Sequence, residues 1–288
     1  MLGLGNSLVY PNLTGEAFTP NGLSTVFDGA DDFAAADHYT SLTPGANSAS
    51  GFSVSVWFNS NHGAEADLRQ DQIVTKTGSD GTEWKMVVDA QRRPRFFLNF
   101  NNDANTRYRI FMSSNVTINE WNHMVFTWDA TKDTDDSSAV VMYLNGVRGD
   151  SSSGATVSNP GKDGSGDNWI VTESSQALNL ATSNAGGGAI GGNTRYKGYI
   201  DELSIFNVTL DDDAVTQIYN SGDPIDMTVD TGNYDNSSSL VAYWRMGEDD
   251  GGDGDTNDIT NLSSADGATD LELKNGAAIS NTEYAQPA

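Results

Sequence analysis

The segment YIDELSIF, residues 199–206, places a carboxylate where a β-strand would bury it. Alternate residues of a strand share a face, so Tyr199, Asp201, Leu203 and Ile205 point one way, and the last two are core residues. An unpaired carboxylate at that depth is costly. A hard cation such as Ca²⁺, which takes oxygen ligands, would satisfy Asp201, as would hydrogen bonds from backbone amides. Glycoside hydrolysis is a poorer match. A retaining enzyme holds two carboxylates about 5 Å apart, whereas Asp201 and Glu202 are adjacent and should point to opposite faces. His38, His62 and His123 have no Ser, Asp or second His at a spacing that suggests a nucleophile or a metal pair. Catalysis is not expected.

Three other groups bear chemistry. The acidic run EDDGGDGDTND (248–258) imitates a calcium loop, but Asp258 stands where the sharp-turn glycine belongs and Ser264 where a bidentate glutamate belongs. A solvated loop is the expected reading. Trp57 lies opposite the Phe52, Val54, Val56 and Phe58 face, so Trp57, together with Trp169, is a candidate platform for stacking a sugar. Trp128 shares a parity with Met124 and Phe126 and reads as core. Finally, Arg92, Arg93, Arg95, Arg107 and Arg109 form a basic cluster. It suits an anionic neighbour or glycan, or else cross-strand pairing with acids.

That cluster stands out because the chain as a whole is acidic. Its 288 residues include 40 acidic and 15 basic side chains, for a net charge of −25. A protein that tracks nucleic-acid phosphates presents the opposite sign, and anionic membranes would repel this one. No nucleic acid and no membrane insertion are expected. Cysteine is absent, which removes disulfides and thiolate chemistry together. The opening MLGLGNSLVYPNLTG has no basic n-region and no sustained apolar stretch, so no secretory signal is expected.

The elements that must position these groups are mostly strands. Short alternating segments bounded by Gly, Asn, Asp and Ser recur at 52–58, 72–76, 84–90, 95–101, 107–113, 123–129, 140–145 and 199–206. This predicts an all-β fold, two antiparallel sheets stacked as a sandwich. One helix is predicted at 210–219, capped by Thr209 or Asp211. Residues 1–22 read as an N-terminal arm and docking segment, 23–222 as the sandwich, and 223–288 as an extension partly packed on it. Within the extension, Leu240–Met246 is too apolar to stay exposed and is expected to add a strand.

The order of VFDGADDF (26–33), FSVSVWF (52–58), QIVTKTG (72–78), EWNHMVFTWDA (120–130), VVMYLNG (140–146), AIGGNTRYKGYIDELSIFNVTL (189–210) and IYNSG (218–222) resembles the laminin-G-like, concanavalin A-like lectin/glucanase jelly-roll family. The resemblance implies a jelly roll. It also implies a structural calcium in which Asp28 partners Asp201, with Asp31 or Asp32 and backbone carbonyls completing the shell. In hydrolases of this fold the catalytic carboxylates follow an E-x-D-x-E pattern, absent here. LVAYWRMGEDD (240–250), LELKNGAAI (271–279) and the opening MLGLGNSL are similar to segments of marine tailed-bacteriophage structural proteins. From that second resemblance the expected function is a non-enzymatic virion protein, a capsid decoration or fibre. It would form a homo-oligomer beside other virion proteins and bind host-surface carbohydrate. The alternative is a cellular or secreted glycan-binding adhesion module, extracellular or at the cell surface. A polysaccharide-cleaving enzyme is the third.

Overall fold

The computed structural model describes residues 21–43, 51–61, 70–78, 81–100, 103–132, 136–158, 175–183, 195–249 and 258–283. Residues 1–20 of the expected arm at 1–22, Trp169, His62 and most of the acidic run, 250–257, lie outside them.

The strands follow from alternation bounded by turn residues. The first seven are β1 (Ser24–Asp28), β2 (Phe33–Ala36), β3 (Gly51–Ser60), β4 (Asp71–Gly78), β5 (Gly81–Val88), β6 (Pro94–Phe100) and β7 (Asp103–Phe111). Then come β8 (Trp121–Asp129), β9 (Val140–Leu144), β10 (Val147–Gly149), β11 (Thr156–Ser158), β12 (Leu178–Leu180) and β13 (Lys197–Phe206). After helix α1 (Asp212–Tyr219) follow β14 (Leu240–Trp244), β15 (Met246–Asp249), β16 (Asp258–Ile259), β17 (Leu271–Lys274) and β18 (Ala278–Ser280).

They form two antiparallel sheets, as alternation predicts. The eight-stranded sheet runs β10-β9-β8-β3-β13-β1-β18, with β14 also paired to β13. The nine-stranded sheet runs β11-β7-β6-β5-β4-β12-β2-β17-β16. Between them Phe52, Val54, Val56 and Phe58 meet Trp84, Met86, Phe96 and Leu98 in one buried core. The extension contributes to both sheets. Strand β14 pairs with β13, β18 with β1, and β17 with β2.

A second apolar layer covers the outer face of the eight-stranded sheet. Asp211 caps α1 by accepting the Ala214 N–H at 2.8 Å, and Asp212 and Asp213 suit the positive end of the helix. Val215 and Ile218 then pack with Val125, Phe206, Met227 and Tyr243. The β9–β10 turn keeps Asn145 and Gly146 at φ 51° and 72°, the backbone of a tight primed hairpin. A Cβ on Gly146 would lie 2.8 Å from the Tyr219 ring, so glycine also lets the helix end approach the sheet. Among the described residues no helix is long and apolar enough to cross a membrane.

Candidate functional site

The structure separates the residues expected to share one calcium. Asp201 aligns with Trp57 on β3, and the next paired residue, Ser204, aligns with Ser55. Three steps on β13 thus face two on β3. This is a bulge, with Glu202 at φ 48° as the strained residue. The parity of the strand flips there. Leu203 and Ile205 enter the main core while Asp201 points to the opposite face, correcting the inward placement expected from uninterrupted alternation. Asp201 is buried nonetheless. Its oxygens accept the Glu202 backbone N–H at 2.8 Å and the Asn21 side-chain amide at 2.9 Å. Asp28 pairs across β1–β13 with Lys197, four residues away, about 13 Å along the strand. Asp28 and Asp201 do not meet.

Asp28 instead gathers with Asp31 and Asp32, their ligand oxygens all within 4.8 Å of one another. Asp28 Oδ1 accepts the Ala30 N–H at 2.7 Å, and Asp32 Oδ2 accepts the Asp28 N–H at 2.8 Å. Burial raises the Asp32 pKa, and the carboxylates of Asp28 and Asp31 add to the rise. Three crowded carboxylates form a hard-oxygen cluster of the kind divalent cations select.

Trp57 is not a sugar platform. Only 2% of it is exposed, because Tyr219 from α1 stacks on it at 5.7 Å and His123 at 4.6 Å. Histidine 123 does have a serine, Ser55, whose Oγ lies 2.8 Å from Nε2, a pairing the linear spacing concealed. Burial pulls the His123 pKa down to about 3 and exposes none of the ring, so the pair belongs to the packing layer.

The remaining carboxylate cluster ties the extension to the bulge. Glu202 accepts from Arg245 Nε at 3.0 Å and from the Tyr243 hydroxyl, all three side chains being buried. Nearby, Glu248 accepts the backbone N–H groups of Gly22 and Leu23, and burial pushes its pKa up to about 7.

A groove of about 470 Å³ opens beside the start of α1, lined by Lys132, Tyr143, Arg148 and the acids Asp129, Asp211 and Asp212. Its cations are engaged internally. Arg148 holds Asp150 at 2.9 Å as well as Asp212, and Lys132 donates to the Ser138 carbonyl at 2.9 Å.

The outer face of the nine-stranded sheet differs in kind. Register places Asn179, Thr75, Lys85, Phe97 and Arg109 in one cross-strand row, and Gln72, Val87, Arg95 and Phe111 in the next. On β12 and β4 this face is buried but polar, with Gln72 2% and Asn179 1% exposed. On β5, β6 and β7, Lys85, Arg95, Arg109 and Phe111 are half-buried. The Gln72 amide donates to the Gln70 carbonyl at 3.2 Å and the Asn179 amide to the Ala177 carbonyl at 3.0 Å. Those bonds fix which end of each amide is nitrogen. The oxygens, Gln72 Oε1 and Asn179 Oδ1, are buried and accept no hydrogen bond among the described residues. Sequence reasoning did not single out either residue. Asn179 sits in ALNLA, where its two leucine neighbours already mark it as facing away from the core.

The family model for the concanavalin A-like lectin/glucanases superfamily matches residues 31–216. Among solved structures, a Bacteroides ovatus protein named as a candidate carbohydrate-binding protein aligns with a TM-score of 0.58 at 12% identity, over 91% of this chain. The chain spans only 60% of that protein's length. The heptameric SAP-like pentraxin of Limulus polyphemus aligns at 0.45 and 12% identity, over 70% of this chain and 84% of its own. Domain 4 of the GH43 extracellular arabinanase AbnA of Geobacillus stearothermophilus, in complex with arabinotriose, aligns at 0.43 and 16% identity, over 68% and 76%. At such identities the likeness is one of fold. No curated protein matches the sequence.

Proposed function

The chain belongs to the concanavalin A-like lectin/glucanase superfamily, and on that premise we propose that it is a non-catalytic glycan-binding module whose ligand lies on the outer face of the nine-stranded sheet. One observation carries the proposal: on β5, β6 and β7 this face presents Lys85, Arg95, Arg109 and Phe111 half-buried, N–H donors beside an aromatic ring within reach of a ligand. Sugars carry hydroxyl acceptors at every ring. The non-catalytic part rests on how the described carboxylates are used, since Asp201 and Glu202 are buried and hydrogen-bonded inside the protein. This reading follows the glycan-binding module among the functions expected from sequence. Display on a virion rests on the tail and opening motifs alone, and mass spectrometry of purified particles is its test.

A panel of soluble polysaccharides, read by calorimetry for binding and by reducing-end assay for cleavage, tests the module. Binding without product release is expected. Lys85→Met and Arg109→Met should each weaken it severalfold, up to about tenfold, the worth of one hydrogen bond. Their melting temperatures should stay close to the parent's, because both side chains are partly open to solvent. Parent-like affinity in both variants would move the ligand off this face.

We also propose that Asp28, Asp31 and Asp32 hold a structural Ca²⁺. The three carboxylates supply part of an oxygen shell that usually numbers six to eight. Ca²⁺ at about 100 times its dissociation constant should raise the melting temperature by roughly 5–10 °C. Asp31→Asn should abolish that response. Asp201→Asn should leave it intact, because Asp201 lies elsewhere on the sheet. An unchanged melting point with Ca²⁺ would reduce the cluster to a turn.

A further inference from the structure

The half-buried end of the same face says what kind of glycan it takes. On β5, β6 and β7 the cross-strand rows alternate cations with aromatic rings. Lys85 Nζ lies 4.9 Å and the Arg109 guanidinium 5.4 Å from the Phe97 ring centre. Arg95 in the next row and Arg93 just before β6 lie 5.2 Å and 4.7 Å from the Phe111 ring centre. Each ring therefore already holds two cations. A ligand arriving here meets N–H donors and positive charge before it meets a ring it can stack on.

The nearby acid does not balance Arg93 and Arg95. Asp89 Oδ2 lies 2.8 Å from Arg93 and 3.1 Å from Arg95, one carboxylate shared by two guanidinium groups. Its Oδ1 is engaged in the turn, accepting the N–H groups of Gln91 and Arg93 at 2.9 Å. The side chains of Arg93 and Arg95 remain 28% and 20% exposed, so a ligand can reach them. Burial lowers the Arg95 pKa, and the positive charges of Arg93 and Arg109 lower it further against the pull of Asp89. An added anion would relieve that crowding. All this sits on a chain whose net charge is −25, so the patch opposes the field of the whole molecule.

We infer that the ligand is an acidic polysaccharide, its carboxylate or sulfate groups held by Arg93, Arg95 and neighbouring cations. The inference rests on the glycan reading above and narrows it.

The test compares polygalacturonate, dextran sulfate, neutral dextran and polyglutamate as ligands of the full chain. At about 0.05 M salt at least one acidic polysaccharide should bind about tenfold or more tighter than dextran, and about 0.5 M salt should remove most of that advantage. Whichever acid binds tighter identifies carboxylate or sulfate as the group read. Arg93→Gln with Arg95→Gln should abolish the preference. Arg93→Lys with Arg95→Lys should retain part of it, which separates lost charge from lost folding. Dextran binding as tightly as both acids, or a preference indifferent to salt or to the Gln pair, would overturn the inference and leave the glycan reading standing. Polyglutamate matching the acidic glycans would overturn it in favour of bare charge recognition. Failure of every polysaccharide would overturn both readings.

Discussion

Trp57→Ala should lower the melting temperature by roughly 10 °C, the equivalent of about 3–5 kcal/mol for truncating a buried aromatic, while leaving glycan affinity unchanged. The tryptophan belongs to a cluster of three mutually stacked rings, 4.6 Å from His123 and 5.7 Å from Tyr219, with those two 5.8 Å apart. That stack joins the outer face of the eight-stranded sheet to the end of α1. Removing it leaves a cavity beneath the helix, and neither neighbour can fill it without giving up its own packing. Trp57→Phe should recover part of the loss by restoring one ring. The glycan face lies on the other sheet, across the whole core, so the two effects are independent. A Trp57→Ala protein that melts like the parent and no longer binds sugar would place the ligand under α1 and refute this assignment.

Ending the chain at residue 222 should abolish cooperative folding. The deleted segment supplies β14 to the edge of β13, β18 to the edge of β1, and β17 between β2 and β16. It also buries Trp244, Met246, Ile259, Leu271 and Leu273 in the main core. Losing one large core side chain commonly costs about 2–5 kcal/mol. Five together exceed the roughly 5–15 kcal/mol by which a domain is stable. The loss would also strand Glu202, buried without Arg245 or Tyr243, and Tyr39 without the Val241 carbonyl that accepts from it at 2.6 Å. Circular dichroism during heating should show no sigmoidal transition for the truncated chain. A transition at the parent's temperature would mean that the extension is not integrated.

The sandwich was legible because its long strands alternate without interruption, as Phe52 to Phe58 and Met124 to Trp128 do. Shorter pieces were not. FAAA at 33–36 is rich in alanine, a helix former, yet it lies between β12 and β17, where pairing decides its state. The largest error came from one backbone angle. Glu202 at φ 48° makes the bulge that reverses the facing of Asp201, and neither glycine nor asparagine marks the place. Trp57 was correctly assigned to the outer face, but its cover, Tyr219, is 162 residues away in the chain, a contact only the packing of α1 reveals. The basic cluster was visible in sequence. That its cations cap Phe97 and Phe111 in rows required the register of three strands.

The central claim places a glycan on the outer face of the nine-stranded sheet. A crystal structure of the chain with the tightest-binding oligosaccharide tests it most directly. The account predicts sugar oxygens within about 3.2 Å of Lys85 Nζ or the Arg109 guanidinium, with the chain of sugars running toward Arg95. Density for the oligosaccharide in the groove beside α1, with those two cations untouched, would contradict it.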